Sequence, residues 1–402
     1  MKRVVYVDNN ATTRVADEVV EEMAPYFGEF YGNPSSMHTF GGQLYKRMER
    51  ARGKVADIIG ATPPEIIFTS CGTESDNAAI RGVLESYPKK RHIVTTRVEH
   101  PAVFNLCKYL ARKGYELTEI SVDNQGLLDL DELRAAIRDD TAIVSIMHAN
   151  NETGVIFPVE EAGQIVKGKG AVFHCDAVQA VGKLPLDMSR STIDLLSLSG
   201  HKLHAPKGVG ALYIRRGVKF QPLIVGGHHE HSKRAGTENV PYIMGLGKAC
   251  ELANEYMKEE QGRVKCLRDK LEENILANIS NSRLNGHKTL RLPNTTNISF
   301  EYIEGEAILL LLDEVGICAS SGSACTSGAL EPSHVLRAMG VPFTAAHGSV
   351  RFSLSRYNTE EEIDYIAKNI PPIIKRLKDI SPYVKEIEEL EQKAVSTANR
   401  GL

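Results

Sequence analysis

The sequence predicts an α/β protein with a large domain, built on a mostly parallel sheet flanked by helices, and a smaller α+β domain. Between residues 65 and 214, short β-branched segments alternate with segments of helical period, a pattern that requires crossover connections between parallel strands. The last third changes pattern, because strands and helices there surround a Ser/Gly-rich loop. A length of 402 residues suits two or three domains.

The strands of the large domain are predicted where β-branched and other apolar residues cluster. They are residues 66–68, 93–95, 142–147, 171–175 and 195–198, and the clearest helices between them are 75–84 and 102–112. Ligands of such sheets bind beyond the carboxyl ends of the strands. The residues directly after each strand are therefore the candidates for a functional site.

Helical and irregular segments outline the rest of the chain. A helix over 41–59 precedes the sheet, a glycine-rich stretch covers 217–236, and a long helix over 242–277 is expected to connect the domains. In the last third of the chain, the sequence predicts a strand at 297–302, a helix at 306–314, a loop at 320–328, a strand at 349–354 and a helix at 359–377. We expect a large domain of residues 15–258, a small domain of residues 1–14 and 259–382 that carries the loop, and a charged tail at 383–402.

Charge and hydropathy exclude several classes of protein. With 48 basic and 51 acidic side chains the formal net charge is -3, so no overall basic field attracts nucleic acid or an anionic membrane. The apolar run at 4–7 is too short for a signal peptide, and the longest one elsewhere, 307–312, is too short to span a membrane. We therefore expect a cytoplasmic protein with neither nucleic acid nor membrane as a partner.

The cysteine pattern indicates reduced thiols. The sequence has seven cysteines at uneven intervals, without a Cys-x-x-Cys pair, and an odd number cannot pair completely within one chain. Cys325 differs from the other six because it lies in the polar stretch SSGSACTSG, at 320–328. Buried, inert thiols are expected for the other six, whereas Cys325 is a candidate nucleophile wherever its surroundings stabilise the thiolate.

The strongest motif is SGHK at 199–202, directly after the predicted strand 195–198. A lysine there is either a surface lysine or an amine in a low-dielectric cleft that can form a Schiff base. Its neighbours favour the second interpretation, because Ser199 and His201 are donors that suit a phosphate group. An enzyme that uses pyridoxal phosphate needs three more features, namely a carboxylate on the pyridine nitrogen, a group stacked on the ring and a phosphate-binding turn.

Strand ends supply all three features. Asp176 follows the strand 171–175, where its alternative role is to cap the next turn, and Gln179 lies three residues further on. His100 precedes a helix that begins at Pro101, and a single histidine of this kind is more often structural. Gly72 and Thr73 lie between a strand and the N-terminus of a helix, whose N–H groups bind phosphate oxygens.

Arg351 lies within the predicted strand 349–354, where a buried guanidinium requires an anion. A substrate carboxylate is one partner, and an internal Asp or Glu is the alternative. Two further patterns do not support a site. GLGK at 245–248 lacks the third glycine of a dinucleotide fingerprint and follows no strand, and HHEH at 228–231 is interpreted as a polar loop rather than a metal site.

Longer motifs add a resemblance that covers nearly the whole chain. They are DNNATT at 8–13, GNPSS at 32–36, NNETG at 150–154 and RFS at 351–353. Together with the residues above, they resemble the cysteine desulfurases of the NifS/IscS type, within the class-V aminotransferase-like group. The resemblance implies pyridoxal phosphate as cofactor and the fold type I of such enzymes, with a sheet of the seven-stranded type.

The resemblance also implies roles for individual residues. Lys202 would be the Schiff-base lysine, Asp176 the partner of the pyridinium nitrogen and His100 the ring-stacking catalytic residue. The remaining cofactor contacts would come from Gly72, Thr73, Ser199 and His201 at the phosphate, Gln179 and Asn151 at the ring, and Thr237 at the phosphate of the opposite subunit. The contact from Thr237 implies a homodimer.

The substrate implied by the resemblance is L-cysteine, bound by Asn10, Asn33, Asn151 and Arg351. Lys202 would remove its α-proton, and Cys325 would take its sulfur as a persulfide and release L-alanine. Cys325 would pass the sulfur to an iron–sulfur scaffold of the NifU/IscU type, and could bind metal as a ligand of a cluster shared with that scaffold.

Three motifs, SCGTE at 70–74, HAPK at 204–207 and AGTE at 235–238, resemble the nitrogen-fixation branch most closely. The alternatives within enzymes are a housekeeping desulfurase, a selenocysteine lyase and an aminotransferase on the same fold. A sulfur carrier without catalysis is the non-enzymatic alternative, but it has no need of Lys202, Asp176 and His100 together. The histidine-rich stretch 228–231 and the charged tail depart from the pattern of this branch.

Overall fold

The computed structural model describes residues 3–321 and 332–382. Seven of the nine residues of the predicted loop 320–328, Cys325 among them, and the tail 383–402 lie outside the described residues. The strands are β1 (Val5–Tyr6), β2 (Ile66–Thr69), β3 (His92–Thr96), β4 (Glu116–Ile120), β5 (Thr141–Ser145), β6 (Val172–Asp176), β7 (Leu195–Ser199), β8 (Gly210–Ile214), β9 (Ser282–Leu284), β10 (Thr295–Phe300), β11 (Ile317–Cys318) and β12 (Ser349–Ser353).

The helices alternate with these strands through the first two thirds of the chain. They are α1 (Asp17–Met23), α2 (Pro25–Gly28), α3 (Thr39–Ile58), α4 (Gly72–Ser86), α5 (Pro101–Ala111), α6 (Leu130–Ala136), α7 (Val159–Gly168), the short turn α8 (His229–Ser232), α9 (Val240–Glu259), α10 (Lys265–Asn278), α11 (Gly305–Glu314), α12 (His334–Ala338), α13 (Phe343–Ala346) and α14 (Glu360–Ile380). Two single 3₁₀ turns (Pro63–Glu65 and Gly200–Lys202) and a π-helical turn (Glu260–Val264) complete the set.

The large sheet has seven strands in the order β2-β8-β7-β6-β5-β3-β4. Neighbours from β4 through β7 pair in parallel, whereas β8 runs antiparallel to both β7 and β2. Because β3, β5, β6 and β7 are parallel and β2 runs in the same direction, the carboxyl ends of these five strands meet at one edge of the sheet. The predicted mostly parallel sheet is confirmed.

Both faces of this sheet are covered by helices, as alternate strand residues show. Phe68, Val144 and Leu196 belong to one buried apolar cluster that includes α3 and α9. Ile67, Ile143 and Leu195, one position earlier on the same strands, belong to a second cluster with α4 and α5. A sheet buried on both faces needs apolar residues at successive positions, which explains the continuous apolar strands in the sequence.

A third apolar cluster gathers the last third of the chain and the first residues. It is built on an antiparallel sheet of β12, β10 and β9, on the parallel pair β1 and β11, and on α10, α11 and α14. Val5 and Val7 lie in this cluster, so the N-terminal residues pack with the C-terminal ones. The boundaries 15–258 and 259–382 stay a prediction.

The predicted elements are present with ends that differ by up to three residues. The predicted long helix 242–277 is two α-helices, α9 and α10, joined through the π-helical turn Glu260–Val264. No helix within residues 3–321 and 332–382 is long and apolar enough to cross a membrane.

Candidate active site

A cavity of about 350 Å³ lies at the edge of the large sheet where the parallel strands end. It brings together most of the side chains predicted from the sequence. They are Asn10, Gly72, Thr73, His100, Asn151, Asp176, Gln179, Ser199, His201, Lys202 and Arg351. The rule that ligands bind beyond the carboxyl ends of parallel strands therefore selected the correct edge.

Lys202 reaches this cavity from the 3₁₀ turn that follows β7. Its Nζ donates a hydrogen bond to the carbonyl oxygen of Ala11 at 2.8 Å and a second to the carbonyl oxygen of Asn10. The backbone of the same turn accepts from Thr13 N–H at 3.0 Å. The N-terminal segment thus holds the lysine amine at the cavity wall, and the interpretation of Lys202 as a surface lysine is wrong.

Asp176 ends β6 and is 5 % exposed. Its Oδ1 accepts a hydrogen bond from the N–H of Val178 at 2.9 Å, so the capping role exists alongside the cavity position. Burial raises the pKa of Asp176 to about 6, whereas the Val178 N–H and the charge of Lys202 lower it. A cationic ring nitrogen placed beside this carboxyl would favour its ionised form.

Gly72, Thr73, Ser199 and His201, here named the Gly72 cluster, form a cradle at the N-terminus of α4. A Cβ atom on Gly72 would lie 2.8 Å from Cγ2 of Val178 and 3.4 Å from Cβ of Ser199, so only glycine leaves this space open. The hydroxyl of Ser199 is buried without a hydrogen-bond partner. A fifteen-residue helix whose first N–H groups face an unpartnered hydroxyl is suited to an anion such as phosphate.

His100 is the N-cap of α5, as predicted. Its Nδ1 accepts from the N–H of Ala102 at 3.2 Å, which places the proton of a neutral ring on Nε2. Burial, followed by the charges of Lys202 and His334, lowers the pKa of His100 to about 4. The imidazole in the cavity is therefore neutral at physiological pH and can donate from Nε2.

Arg351, Asp8, Asn10 and Asn151 are here named the Arg351 cluster. Arg351, Asn10 and Asn151 line the cavity, and Asp8, which does not, is hydrogen-bonded to Arg351. Arg351 donates from Nη2 to Oδ1 of Asp8 at 2.6 Å and from Nη1 to the carbonyl oxygen of Asn151 at 3.0 Å, while its buried Nε has no hydrogen-bond partner. The structure therefore contains the internal acid that the sequence allowed as a partner of Arg351, namely Asp8. The Nε–H group of Arg351 remains available to a ligand.

Asn10 is buried and uses its side-chain amide within the protein. Its Nδ2 donates to Oγ1 of Thr295 at 2.9 Å and to the carbonyl oxygen of Asn151, and its Oδ1 accepts from Asn294. Its carbonyl oxygen accepts from Nε2 of Gln179 at 3.1 Å, which leaves Oε1 of Gln179 buried and without a hydrogen-bond partner. Asn10 therefore connects the Arg351 cluster with Lys202 and Gln179.

Two predicted residues that the structure describes, Asn33 and Thr237, do not line this cavity. Asn33 is exposed, and its side-chain oxygen accepts a hydrogen bond from the N–H of Ser35 at 2.9 Å. Thr237 is also exposed, and it follows Arg234, which donates a hydrogen bond to the carboxyl of Glu74. Cys325 lies outside the described residues. The roles of all three stay predictions.

The histidine-rich stretch 228–231 is anchored by its acid. Glu230 is 6 % exposed and accepts from both terminal nitrogens of Arg52, at 2.6 and 2.9 Å, and from the N–H of Phe68. Its φ of 46° and that of His231, 56°, are left-handed, so the stretch is a tight turn rather than a regular helix. This agrees with the interpretation as a polar loop.

Two acids at the site were missed by the sequence interpretation. Asp76 lines the cavity at 1 % exposure, and burial together with the charge of Asp176 raises its pKa well above its usual range. Asp8 is the ion-pair partner of Arg351. A signal for Asp76 exists, because it lies four residues after Gly72, on the apolar face of α4 that also carries Ala79, Ile80 and Val83. No local pattern pairs Asp8 with Arg351.

The aminotransferase class-V family model matches residues 5–366. The chain belongs to this family. "Cysteine desulfurase 2" of Trichormus variabilis is 63% identical over 380 residues, covering 94% of this chain and 95% of the relative. "Cysteine desulfurase NifS" of Azotobacter vinelandii is 58% identical over 380 residues and covers 94% of each chain. The predicted resemblance to NifS/IscS-type cysteine desulfurases is confirmed.

Solved structures agree with this family membership. A structure described as a NIFS-like protein superimposes with a TM-score of 0.88 at 44% identity, covering 94% of this chain and 100% of the other. A NifS-like protein from Rickettsia africae gives a TM-score of 0.84 at 33% identity and covers 93% and 100%. The predicted fold type I is thereby confirmed, and this family member is a pyridoxal-phosphate-dependent cysteine desulfurase.

The cavity fits pyridoxal phosphate on its own geometry. The Gly72 cluster offers space, helical N–H groups and an unpartnered hydroxyl for the phosphate, and Asp176 offers a buried carboxyl for the ring nitrogen. The unpartnered Oε1 of Gln179 is an acceptor for the ring hydroxyl, and Lys202 supplies the amine.

Proposed function

We propose that this enzyme removes the sulfur of L-cysteine, releases L-alanine and leaves the sulfur on Cys325 as a persulfide for a scaffold protein. The observation that carries the proposal is that one cavity holds Lys202, Asp176 and Arg351 together. An amine, a ring-nitrogen acid and a carboxylate-binding guanidinium are the groups that an amino acid and pyridoxal phosphate require. Pyridoxal phosphate, when bound, supplies an electron sink for negative charge on the α-carbon of the substrate.

The residues of the chain have separate tasks in this proposal. Arg351 and Asn151 bind the α-carboxylate, and Lys202 takes the proton from the α-carbon. Asp176 holds the ring nitrogen in its protonated form, and the Gly72 cluster binds the phosphate. His100, neutral and with its proton on Nε2, can donate that proton to a sulfur atom in the cavity.

The sulfur transfer balances without an external oxidant. The Cys325 thiolate attacks the sulfur of the substrate, a sulfur–sulfur bond forms, and the bond between that sulfur and the β-carbon breaks. The electron pair of the broken bond stays with the carbon fragment, which takes up protons and leaves as L-alanine. Cysteine and one thiol thus give alanine and one persulfide.

Residues that flank the segment 322–331 support the assignment of Cys325. Ser320, before it, exchanges two backbone hydrogen bonds with Arg351, at 2.7 and 3.3 Å. Ser333, after it, donates from its hydroxyl to the carboxyl of Glu152, the residue that follows Asn151. The described residues on the two sides of Cys325 in the sequence are thus bonded to Arg351 and to the residue after Asn151.

Product analysis tests the proposal. We expect the purified enzyme, incubated with L-cysteine, to produce alanine and, before any reductant is added, one extra sulfur on the Cys325 peptide in mass spectrometry. Cys325→Ala should stop alanine formation, while Cys266→Ala should not affect it. Cys266 is exposed, so the expectation of a buried thiol at this position is wrong. Unchanged alanine formation in Cys325→Ala would contradict the persulfide step.

A homodimer is part of the proposal, because Thr237 is exposed and does not line the cavity of its own chain among the described residues. Tyr31 and Phe40, whose rings lie 5.1 Å apart, are 72% and 40% exposed and offer apolar surface for a second copy. We expect a dimer in sedimentation analysis and weaker pyridoxal phosphate binding in Thr237→Val. A monomer with full cofactor affinity would contradict this part.

The acceptor is proposed to be an iron–sulfur scaffold of the NifU type that serves nitrogenase, and the 58% identity to a protein named NifS supports this choice. The test loads the enzyme with ³⁵S from labelled cysteine and offers purified NifU-type and IscU-type scaffolds at equal concentration. Faster labelling of the NifU-type scaffold is expected, and faster labelling of the IscU-type scaffold would indicate the housekeeping role.

A further inference from the structure

Asp8 forms the closest charged contact of Arg351. Nη2 of Arg351 lies 2.6 Å from Oδ1 of Asp8, and the side chains are 3% and 19% exposed. Charge-assisted hydrogen bonds at this distance and burial are among the stronger ones in proteins. Asp8 does not line the cavity, and the proposed function assigns it no role.

The position of Asp8 is fixed independently of this ion pair. Its backbone forms a bridge with Ser353, two residues after Arg351, and its carbonyl oxygen accepts from the hydroxyl of Tyr6 at 3.1 Å and from the N–H of Ala11 at 3.0 Å. A carboxylate on such a rigid backbone can orient a flexible arginine, because the arginine loses its rotamer freedom to a fixed acceptor.

Two acceptors define the plane of the guanidinium. The carboxylate of Asp8 accepts from Nη2 of Arg351, and the carbonyl oxygen of Asn151 accepts from Nη1. Nε of Arg351 is buried without a hydrogen-bond partner. Glu152 is a second acid near Arg351: burial raises its pKa to about 7, while the hydroxyl of Ser333 and the charge of Arg351 act in the opposite direction. Without Asp8, the guanidinium would have Glu152 as an alternative acceptor and would turn away from its present direction.

The segment that carries Asp8 also holds the catalytic amine. Two and three residues after Asp8, the carbonyl oxygens of Asn10 and Ala11 accept from Nζ of Lys202. One short piece of backbone therefore fixes the group proposed for the α-carboxylate and the amine that works at the α-carbon. An α-amino acid requires the guanidinium of Arg351 and the amine of Lys202 to be correctly placed relative to each other. An amine without a carboxylate has no such requirement.

We propose that Asp8 is a positioning residue that orients Arg351 toward the α-carboxylate of the substrate and so makes the enzyme select amino acids over simple amines. The inference rests on the proposed role of Arg351. Asp8 acts through Arg351 and touches neither substrate nor cofactor in this assignment. Its removal should therefore affect recognition of the carboxylate and leave cofactor binding unchanged.

The test compares L-cysteine with cysteamine, which is cysteine without its carboxylate, on the cofactor-loaded enzyme. In Asp8→Asn, which keeps the shape and removes the charge, we expect KM for L-cysteine to rise about tenfold, with a smaller change in kcat. The Kd of cysteamine, followed by the absorbance of the bound cofactor, and the Kd of pyridoxal phosphate should stay within about twofold of wild type. Asp17→Asn, in the exposed pair with Arg14, is the matched control and should change none of these values.

Variants of Arg351 distinguish a failure of the role proposed for Arg351 from a failure of the role proposed for Asp8. If Arg351→Gln leaves KM for L-cysteine unchanged, the proposed role of Arg351 is wrong. If Arg351→Gln raises KM and Asp8→Asn does not, only the role of Asp8 is overturned. In the double variant we expect KM to equal that of Arg351→Gln alone, and an additional tenfold rise would show that Asp8 acts by another route.

A structural role alone would give a different result. If Asp8→Asn only loosened the fold, the Kd values of cysteamine and pyridoxal phosphate would rise together with KM, which would overturn the proposal. Asp8→Glu serves as the second variant, because it keeps the charge and moves the carboxylate by one methylene. It should fold and give a KM between those of wild type and Asp8→Asn.

Discussion

The Gly72 cluster and the Arg351 cluster line the same cavity but differ in how far their polar groups are already bonded. In the Gly72 cluster the Ser199 hydroxyl is buried without a partner, and nearby Oε1 of Gln179 is in the same state. In the Arg351 cluster, Arg351 and Asn10 make several hydrogen bonds to neighbouring residues. The Gly72 cluster is organised for a cofactor that remains bound, and the Arg351 cluster for a substrate that binds and is released in each turnover.

Energetics explain this difference. A buried polar group without a partner costs about 1–3 kcal/mol, a cost that a permanently bound cofactor removes. A buried guanidinium without an anion would cost more, so Arg351 needs an internal carboxylate whenever no substrate is present. The comparison predicts that variants of the Gly72 cluster change cofactor affinity and variants of the Arg351 cluster change KM.

Lys202 lies between the clusters, and its replacement should have the largest effect. We expect Lys202→Ala to lower kcat for alanine formation at least about a thousandfold, because both the amine and the proton acceptor are lost. Lys207→Ala, an exposed lysine five residues further on, is the control in the same assay. Turnover of Lys202→Ala near the wild-type rate would contradict the assignment of both clusters to one reaction.

Asp176→Asn should have the next largest effect. The amide oxygen can still accept from the N–H of Val178, so the cap is kept while the charge beside the ring nitrogen is removed. We expect kcat to fall about a hundredfold and KM for L-cysteine to change much less. Steady-state kinetics at saturating pyridoxal phosphate measure both, and a rise in KM alone would place Asp176 with the Arg351 cluster instead.

His174, two residues before Asp176, should couple stability to pH. It is fully buried between Ser145 and Ser197, at 2.8 and 2.9 Å, and burial lowers its pKa to about 3. The unfolded chain binds a proton below about pH 6.5 that the folded chain does not, so this contribution to stability is lost as the pH falls from about 6.5 toward about 3. The stability difference between wild type and His174→Gln should shrink by about 2 kcal/mol between pH 7 and pH 5.

Denaturant unfolding of the cofactor-free protein at several pH values measures this change. His231→Gln, at an exposed histidine, is the control variant in the same measurement. A pH-independent difference for His174→Gln would mean that the pKa of His174 is the same in the folded and unfolded chain, contrary to its full burial.

Ser199→Ala should have the smallest effect and sharpens the comparison most directly. The change removes an unpartnered hydroxyl, so it should raise the Kd of pyridoxal phosphate about tenfold and leave KM for L-cysteine unchanged at saturating cofactor. Fluorescence titration of the cofactor-free protein gives the Kd. A changed KM with an unchanged Kd would reverse the assignment of the clusters.

Local rules in the sequence predicted one cluster better than the other. Gly72, Asp176 and Lys202 each follow a strand of the parallel sheet, so short-range pattern and the strand-end rule together locate them. For Arg351 the sequence allowed either a substrate carboxylate or an internal acid, since its partner Asp8 is 343 residues away and belongs to no shared pattern. Long-range pairing of this kind is decided by tertiary packing.

In the large sheet, the sequence interpretation missed two strands, β4 and β8, for physical reasons. β4 lies at the edge of the sheet with a half-exposed, polar sequence, ELTEI, which lacks the apolar run of the buried strands. β8 follows a glycine-rich turn and runs antiparallel, so it breaks the strand–helix alternation that identified the others. Neither omission affected the site, because β4 is not among the strands whose ends form the cavity and β8 presents its opposite end there.

The hydrogen bond from Asn9 to Ser353 joins residues 344 positions apart, and it has a consequence for biosynthesis. A chain emerging from the ribosome can place Gly72, Asp176 and Lys202 around one space once the large sheet has been made. Arg351 is synthesised later, because it follows Lys202 by 351 − 202 = 149 positions. We therefore expect the residues proposed to hold the cofactor to come together before the residue proposed to bind the α-carboxylate.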